Sequence, residues 1–495
     1  MGHSLCRRRQ TGLPLVALLM SCALAPALAY GAGPAPITFG TPVRLPTFQS
    51  CGGYEPGIAI DGFGNIFVTA HKQNHCDAVA LDPSAPAGVR AASWLWISSD
   101  GVNFSDLPGL TPVALDQLDI GDEGDIALDD ALHVYFVDTK VKEDSVTRWT
   151  AAGPGKANVQ FEHTLPILPS FQAVDDRPWV TAHGDNIVMF ADNEGDKVTY
   201  PLGTAGQGCG PGRYTIYMST DAGTTFNPQG CTLPDSGWCR PAADHTAGSQ
   251  HLYMFCDNDA GTNGVTGANP GDPGFTVGTL WSYVSADNGY TWKRYEVDRY
   301  NSDLPSGSNT NGDITWPSLT VAAGGDLYAL WADPVTGHNP SLVTPTNSDD
   351  RYKQATRLKL YHSIDHGQTW TMQDVTPPNS GIIRYSWMGI ADDGKTIGVG
   401  YFTHPTTTGT WHVFAGASPR FGYPVTYALV DPVEVAPAGD FAFGDFFEVT
   451  FDRAGRLNVV YTRCVDLVAG DSTTDCLNSE VYFARTTASL VGHGD

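Results

Sequence analysis

The chain is poor in basic residues and, beyond its N-terminal segment, has no long apolar run. Its 495 residues include 28 Lys and Arg against 53 Asp and Glu, a formal charge of −25. Such a field repels phosphate, which argues against nucleic acid and anionic membrane surfaces as partners. No later apolar stretch approaches the ~20 residues of a membrane helix, so membrane insertion is not expected. There is no Cys-x-x-Cys spacing of the zinc-binding kind. A long amphipathic helical pattern is missing too.

What is present begins with an export signal. Three arginines, Arg7 to Arg9, precede an apolar run from Leu13 to Ala25 and the small residues Ala27 to Ala29. This is the pattern of a secretory signal peptide over residues 1–29, cleaved before Tyr30, and it places the mature protein outside the cell or in a periplasm. Lipoprotein anchoring through Cys22, at the end of "LMSC", is the weaker reading of the same segment. The mature domain then runs over 30–490 with a short tail over 491–495. Loss of the three arginines leaves 25 basic residues against 53 acidic ones, or −28. Setting aside Cys6 and Cys22, eight cysteines remain, an even number that in an exported chain points to disulfides. Neighbouring pairs are Cys51 with Cys76, Cys209 with Cys231, Cys239 with Cys256, and Cys464 with Cys476, although eight cysteines admit about 105 connectivities.

Along the mature chain, Gly, Pro, Asn and Asp punctuate short alternating runs rich in Val, Ile, Tyr, Phe and Trp, which read as strands and turns. A two-strand phrase recurs seven times, from "EPGIAIDGFGNIFVTAH" (Glu55 to His71) to "DFFEVTFDRAGRLNVVYTR" (Asp445 to Arg463). A third and a fourth strand follow most copies, as in "RLKLYHSIDHGQTWTMQDV". Four strands per repeat predict an all-β fold, a single seven-bladed β-propeller of four-stranded antiparallel blades. Six blades is the alternative if the copy at Glu123 is an insertion. "PITFGTPVRL" (Pro36 to Leu45) reads as the outer strand that completes the last blade.

The third-strand segments "YMSTDAGTTF", "YVSADNGYTW" and "YHSIDHGQTW" share a Ser-x-Asp-x-Gly-x-Thr core, with a degenerate fourth copy at "SSDGVNF". This unit resembles the Asp-box, or BNR repeat, of sialidases and other secreted glycan-acting propellers. Its chemistry is that of a turn: Asp221, Asp287 and Asp365 accept backbone N–H groups, and the following Gly adopts positive φ. These turns lie at the opposite end of each blade from the start of its first strand, so the functional mouth is expected where first strands begin and second strands end.

The first positions of the repeated phrase are Glu55, Glu123, Arg177, Arg240, Trp316, Ser386 and Asp445, and the last are His71, Asp138, Asp192, Asp257, Asp333, His404 and Arg463. The resemblance to sialidases maps their nucleophilic tyrosine onto Tyr385 in "RYSWMGIADDGKTIGVGYF". It also places Glu55 where an arginine that grips the substrate carboxylate would stand, and Phe402 where its supporting glutamate would stand. Arg240 matches a second arginine position and Asp77 the acid position only loosely. The expectation is therefore a glycosidase acting on a glycan other than sialic acid. Its catalytic candidates are Tyr385, Glu55, Asp77, Glu123, Asp176 and Asp445, with substrate contacts from Arg177, Arg240, Trp316, Trp387, His71 and Arg463. A non-catalytic glycan- or protein-binding propeller is the alternative, and a polysaccharide lyase using His71, Tyr385 and Arg177 is a further one. No cofactor is called for. His71, His75 and Asp77 lack a convergent metal spacing, and Ca2+ on the acidic ring is the remaining metal reading. The chain is read as a monomer.

Overall fold

Alternating apolar runs of five to nine residues make strands with one buried face, and Asp, Gly and Asn between them supply the turns. The computed structural model describes residues 36–47, 52–72, 93–107, 123–130, 132–140, 143–167, 175–193, 214–226, 231–233, 238–258, 276–302, 316–333, 357–378, 380–404, 410–436, 444, 446–466 and 478–492. These strands form seven four-stranded antiparallel sheets arranged in a ring, a seven-bladed β-propeller. No α-helix occurs among the described residues, and none of them forms a helix long and apolar enough to cross a membrane.

The first strands of the blades, in chain order, are Gly53–Ile60, Glu123–Leu128, Asp175–His183, Trp238–Ala243, Ser318–Val321, Ile382–Ile390 and Glu448–Phe451. The copy at Glu123 is a full blade, with further strands His133–Lys140, Glu143–Ala151 and Val159–Pro166. The six-bladed alternative therefore falls. Six sheets follow chain order. In the seventh, Val43–Arg44 supplies the outer strand and pairs Val43 with Phe483 and Arg44 with Tyr482. The ring is thus closed by joining its two ends, as expected from the Pro36 to Leu45 segment.

The Ser-x-Asp-x-Gly-x-Thr segments fold into one repeated turn. Gly223, Gly289 and Gly367 donate their N–H to the Oγ of Ser219, Ser285 and Ser363 at 2.9, 2.8 and 2.9 Å. The Thr225, Thr291 and Thr369 backbone N–H groups donate to Asp221, Asp287 and Asp365 Oδ1 at 2.8, 2.8 and 2.9 Å. Each threonine hydroxyl closes on the second carboxylate oxygen. Gly367 holds φ at 75°, and a Cβ there would lie 2.7 Å from Ser282 Oγ, so both backbone and space demand glycine. Trp370 donates its indole N–H to the Gly367 carbonyl and packs edge-on against Phe255 of the preceding blade at 5.3 Å.

These turns sit on the hairpins between first and second strands: Ala222 N–H bonds the Asp185 carbonyl and Asn288 N–H the Gln250 carbonyl, each at 2.9 Å. Both kinds of turn therefore share one end of the ring, and the first strands begin at the other.

Burial alone would raise the Asp365 pKa, but the bonds from Thr369 and Ser363 outweigh it and hold the carboxyl below its ordinary 3.8. Because the folded pKa is depressed, the stabilisation is present above 3.8 and is lost as pH falls through the folded value. Asp365→Ala should lower the unfolding free energy near neutral pH by about 0.5–1.5 kcal/mol in urea titrations. The deficit against wild type should shrink at acid pH; one that is constant with pH would show that the carboxylate bonds are not its source.

Candidate functional site

Register, rather than position along the repeated phrase, decides which residues meet on the axis of the ring. The fourth pair from each hairpin brings in Gly57, Asp125, Arg240, Ser318, Trp387 and Glu448. In blade three the tighter hairpin adds one pair, and the matching residue is Trp179. These seven residues form one level of the channel. Only Arg240 of the seven expected first positions belongs to it. In blades one and three an extra residue in the first strand shifts the phrase, in blade six the phrase begins one residue early at Ser386, and in blades two, five and seven it begins two or more residues too early.

Arg240 is the centre of this level. Its Nη2 donates to Glu448 Oε1 at 2.9 Å and its Nη1 to Asp125 Oδ2 at 3.3 Å. The guanidinium carbon lies 4.2 Å from the Trp179 ring centroid and 4.7 Å from that of Trp387. Trp179 also contacts Trp316 at 5.4 Å and Phe446 at 4.9 Å. The acids anchor neighbouring strands: Glu448 Oε2 accepts the Ile58 N–H at 2.8 Å and Asp125 Oδ2 the Val180 N–H at 2.9 Å. A Cβ on Gly57 would lie 3.6 Å from Glu448 Oε2 and 3.8 Å from Asp125 Oδ1. The nearest oxygens of the two carboxyls are therefore no more than about 7.4 Å apart, a ceiling that overlaps the range of about 5–9.5 Å for paired glycosidase carboxyls.

Burial raises the pKa of both acids, and Arg240 only partly offsets it; Glu448 is pushed up to about 7. One guanidinium between two carboxylates leaves one negative charge in excess, and a proton on the pair relieves it. Such a cluster can hold a proton near neutrality. The buried Trp179 Nε1 and Ser318 Oγ at the same level have no hydrogen-bond partner among the described residues.

Above this level, Glu55 and Tyr385 occupy matched β-bulges on blades one and six. Both are non-glycine residues at positive φ, 53° and 46°. Such strain, costing about 1–3 kcal/mol, and such bulges gather at functional sites, where they re-aim a side chain. Glu55 is buried against Gly444, where any Cβ would overlap it. Tyr385 is buried with the Arg384 guanidinium carbon 4.8 Å from its ring centroid and Phe402 edge-on at 6.2 Å. Arg177 falls in the corresponding bulge of blade three.

The other expected residues are dispersed. Trp316 and Trp387 are buried against Trp179. His71 lies on the second strand of blade one, edge-on to Tyr54 at 4.2 Å. Arg463, on the second strand of blade seven, bonds Asp431 Oδ2 at 3.0 Å through Nη1, just past the last strand of blade six, and its guanidinium carbon lies 3.7 Å from the ring of Tyr482 on the third strand. Glu123 and Asp176 pair with Thr139 and Asp192 by backbone register; their side chains, that of Arg177, and the whole of Asp77 and Asp445 lie outside the described residues. Cys239 and Cys256 are joined across a directly opposed strand pair, and Cys464 is disulfide-bonded. Cys51, Cys76, Cys209, Cys476 and the Cys231 side chain are outside the described residues.

Asp125, Glu448 and Trp179 were not among the expected residues, yet a signal for them exists. Each stands four positions before the last residue of its phrase's first half, as in "DIALD", "EVTFD" and "WVTAH". Anchoring the repeats on the turn residues Asp61, Asp129, Asp244 and Asp452 puts Gly57, Asp125, Arg240 and Glu448 in one column.

No family model and no curated protein matches this chain. Similar solved structures include a protein of unknown function from Dyadobacter fermentans, 12% identical with a TM-score of 0.45, the match covering 91% of this chain and 99% of that one. The GH93 alpha-L-arabinofuranosidase of Fusarium graminearum is 10% identical with a TM-score of 0.40, covering 77% and 98%. The Hadza microbial sialidase Hz136 is 14% identical with a TM-score of 0.40, covering 80% and 73%. Likeness at this level does not carry a function, which rests on the site.

Removing the cation while leaving both acids would deprive the buried pair of its counter-charge. Arg240→Met should cost about 3–5 kcal/mol at pH 7.5 in denaturant unfolding. Because a carboxyl with a raised folded pKa stabilises fully below its unfolded value, near 4.5, and loses that contribution as pH rises through the folded one, the deficit should narrow between pH 7.5 and 5. Equal deficits at both pH values would contradict this account of the cluster.

Proposed function

We propose that the protein is exported and acts on carbohydrate, hydrolysing a glycosidic bond in a glycan other than sialic acid, with inner-strand carboxyls and Tyr385 as its reacting groups. The observation that supports this reading is the matched pair of strained bulges, which set Glu55 and Tyr385 two residues toward the mouth from Gly57 and Trp387 of the Arg240 level. A carboxyl that keeps its proton near neutrality is the form a general acid needs, and Glu448 is held in that range. The buried indoles of Trp179, Trp316 and Trp387 line the cluster with apolar surface, and Trp179 Nε1 and Ser318 Oγ remain without hydrogen-bond partners among the described residues. Glu55, standing where the sialidase resemblance expects a carboxylate-gripping arginine, and the charge of −25 both disfavour an anionic sugar at the mouth.

The near-complete burial of Asp125 and Glu448 favours a second reading, in which the cluster only braces the channel and the mouth binds glycan without turnover.

A panel of neutral and uronate-containing oligosaccharides and polysaccharides separates the two. Hydrolysis of at least one member, lowered by ~10²-fold or more in Glu55→Gln and in Tyr385→Phe with unchanged melting curves, is the expected outcome. Absence of turnover across the panel, with glycan retention that survives Tyr385→Phe, would replace hydrolase by binder. A UV-absorbing unsaturated product would instead identify a lyase.

A further inference from the structure

At the hairpin end of the ring, opposite the mouth, the turns of three successive blades bring together Asp130, His183 and His245. We propose that these residues form a binding site for a divalent transition-metal ion, for which Zn2+ is the probe. The proposal is independent of the carbohydrate reading.

The donor geometry carries it. His183 Nδ1 lies 2.8 Å from Asp130 Oδ2 and His245 Nδ1 lies 3.0 Å from Asp130 Oδ1. One donor atom from each residue falls within 4.8 Å of the other two. Ligands bound to one Zn2+ at about 2.0–2.2 Å are themselves roughly 3 Å apart, so little movement is needed to seat an ion. His183 Nδ1 is buried and, for all its closeness to Asp130, has no hydrogen-bond partner among the described residues, whereas His245 Nδ1 is hydrogen-bonded to Asp130 Oδ1. A buried imidazole nitrogen left without a hydrogen bond beside a carboxylate has a lone pair to offer an ion. The imidazoles meet at 81° with centroids 5.7 Å apart, presenting edges to a common point. His251 and His366, on the same end of the ring, are stacked face to face at 7° and 4.4 Å and present no such point.

Position in the fold supplies a second, separate reason. At the hairpin entry, blades one, two, four and seven carry an aspartate, Asp61, Asp129, Asp244 or Asp452, that accepts backbone N–H groups of its own turn. Blade three has His183 there, with a two-residue turn that makes no use of its side chain. Asp130 and His245 are half-exposed, which leaves an approach from solvent, and the protein's field attracts cations. Two imidazoles with one carboxylate select first-row transition ions over Ca2+ or Mg2+, and three protein ligands leave a coordination position for water. The ion would tie blades two, three and four together.

The test uses the tag-free full chain, stripped with chelator and titrated calorimetrically with Zn2+ and, in parallel, Ca2+. One Zn2+ per chain is expected, with no comparable Ca2+ binding. Affinity should fall by more than about 10-fold in Asp130→Asn, His183→Gln and His245→Gln and be retained in His251→Gln. Zn2+ should also raise the melting temperature of wild type and leave that of Asp130→Asn unmoved; this change at an exposed, near-isosteric position does not put folding at stake. A wild-type chain that binds no Zn2+, or binding that persists in all three variants, would overturn the site and leave a hydrogen-bonded Asp–His group.

Discussion

The guanidinium of Arg240 is the interaction on which the centre of the ring depends. Each blade satisfies its backbone within its own sheet, so neighbouring blades are joined mainly by side chains. Through Asp125 and Glu448, Arg240 reaches the backbone of Val180 and Ile58, which ties blades seven, one, two, three and four. Stacking on Trp179 and Trp387 adds blade six, and the Trp179–Trp316 contact adds blade five. Desolvation makes these bonds strong and their loss costly, since a buried charge without its partner has nowhere to spread.

This arrangement also divides the labour between the two ends. Toward the hairpins, aspartates accept N–H groups from their own turns, and local chemistry is saturated. Toward the mouth, first strands carry bulges, positive φ at Glu55 and Tyr385, and acids whose pKa values are raised. Positive φ also occurs at Ala222, Asn288 and His366, but inside turns; at Glu55 and Tyr385 it falls within strands, where the surroundings must hold the strain. The Asp130–His183–His245 group is the exception at the framed end, and it arises where a histidine replaces the usual turn aspartate.

Much of the frame was legible from residues alone. The seven phrases, the closing segment Pro36 to Leu45, the turn role of Asp221, Asp287 and Asp365, and the pairing of Cys239 with Cys256 all follow from short-range patterns that keep their spacing in the fold. The site was legible only in fragments. Arg240, Trp316 and Trp387, expected as substrate contacts, lie in the cluster around Trp179, whereas Asp125, Glu448 and Trp179 were missed. Bulges at Glu55 and Arg177 shift the count in blades one and three, and an alignment by strand starts cannot absorb an extra residue whose only trace is a change of register.

Sequence by itself determined the repeating strand and turn, because alternation and Asp-Gly chemistry act over a few residues, and it determined the acid excess that disfavours polyanions. Only the tertiary structure decided which residue of each first strand faces the axis, because that choice depends on pairing register. Closure of the ring, in turn, brings Arg240 to two acids more than one hundred residues away on either side. The same closure of distance brings Asp130, His183 and His245 together from the hairpins of three successive blades.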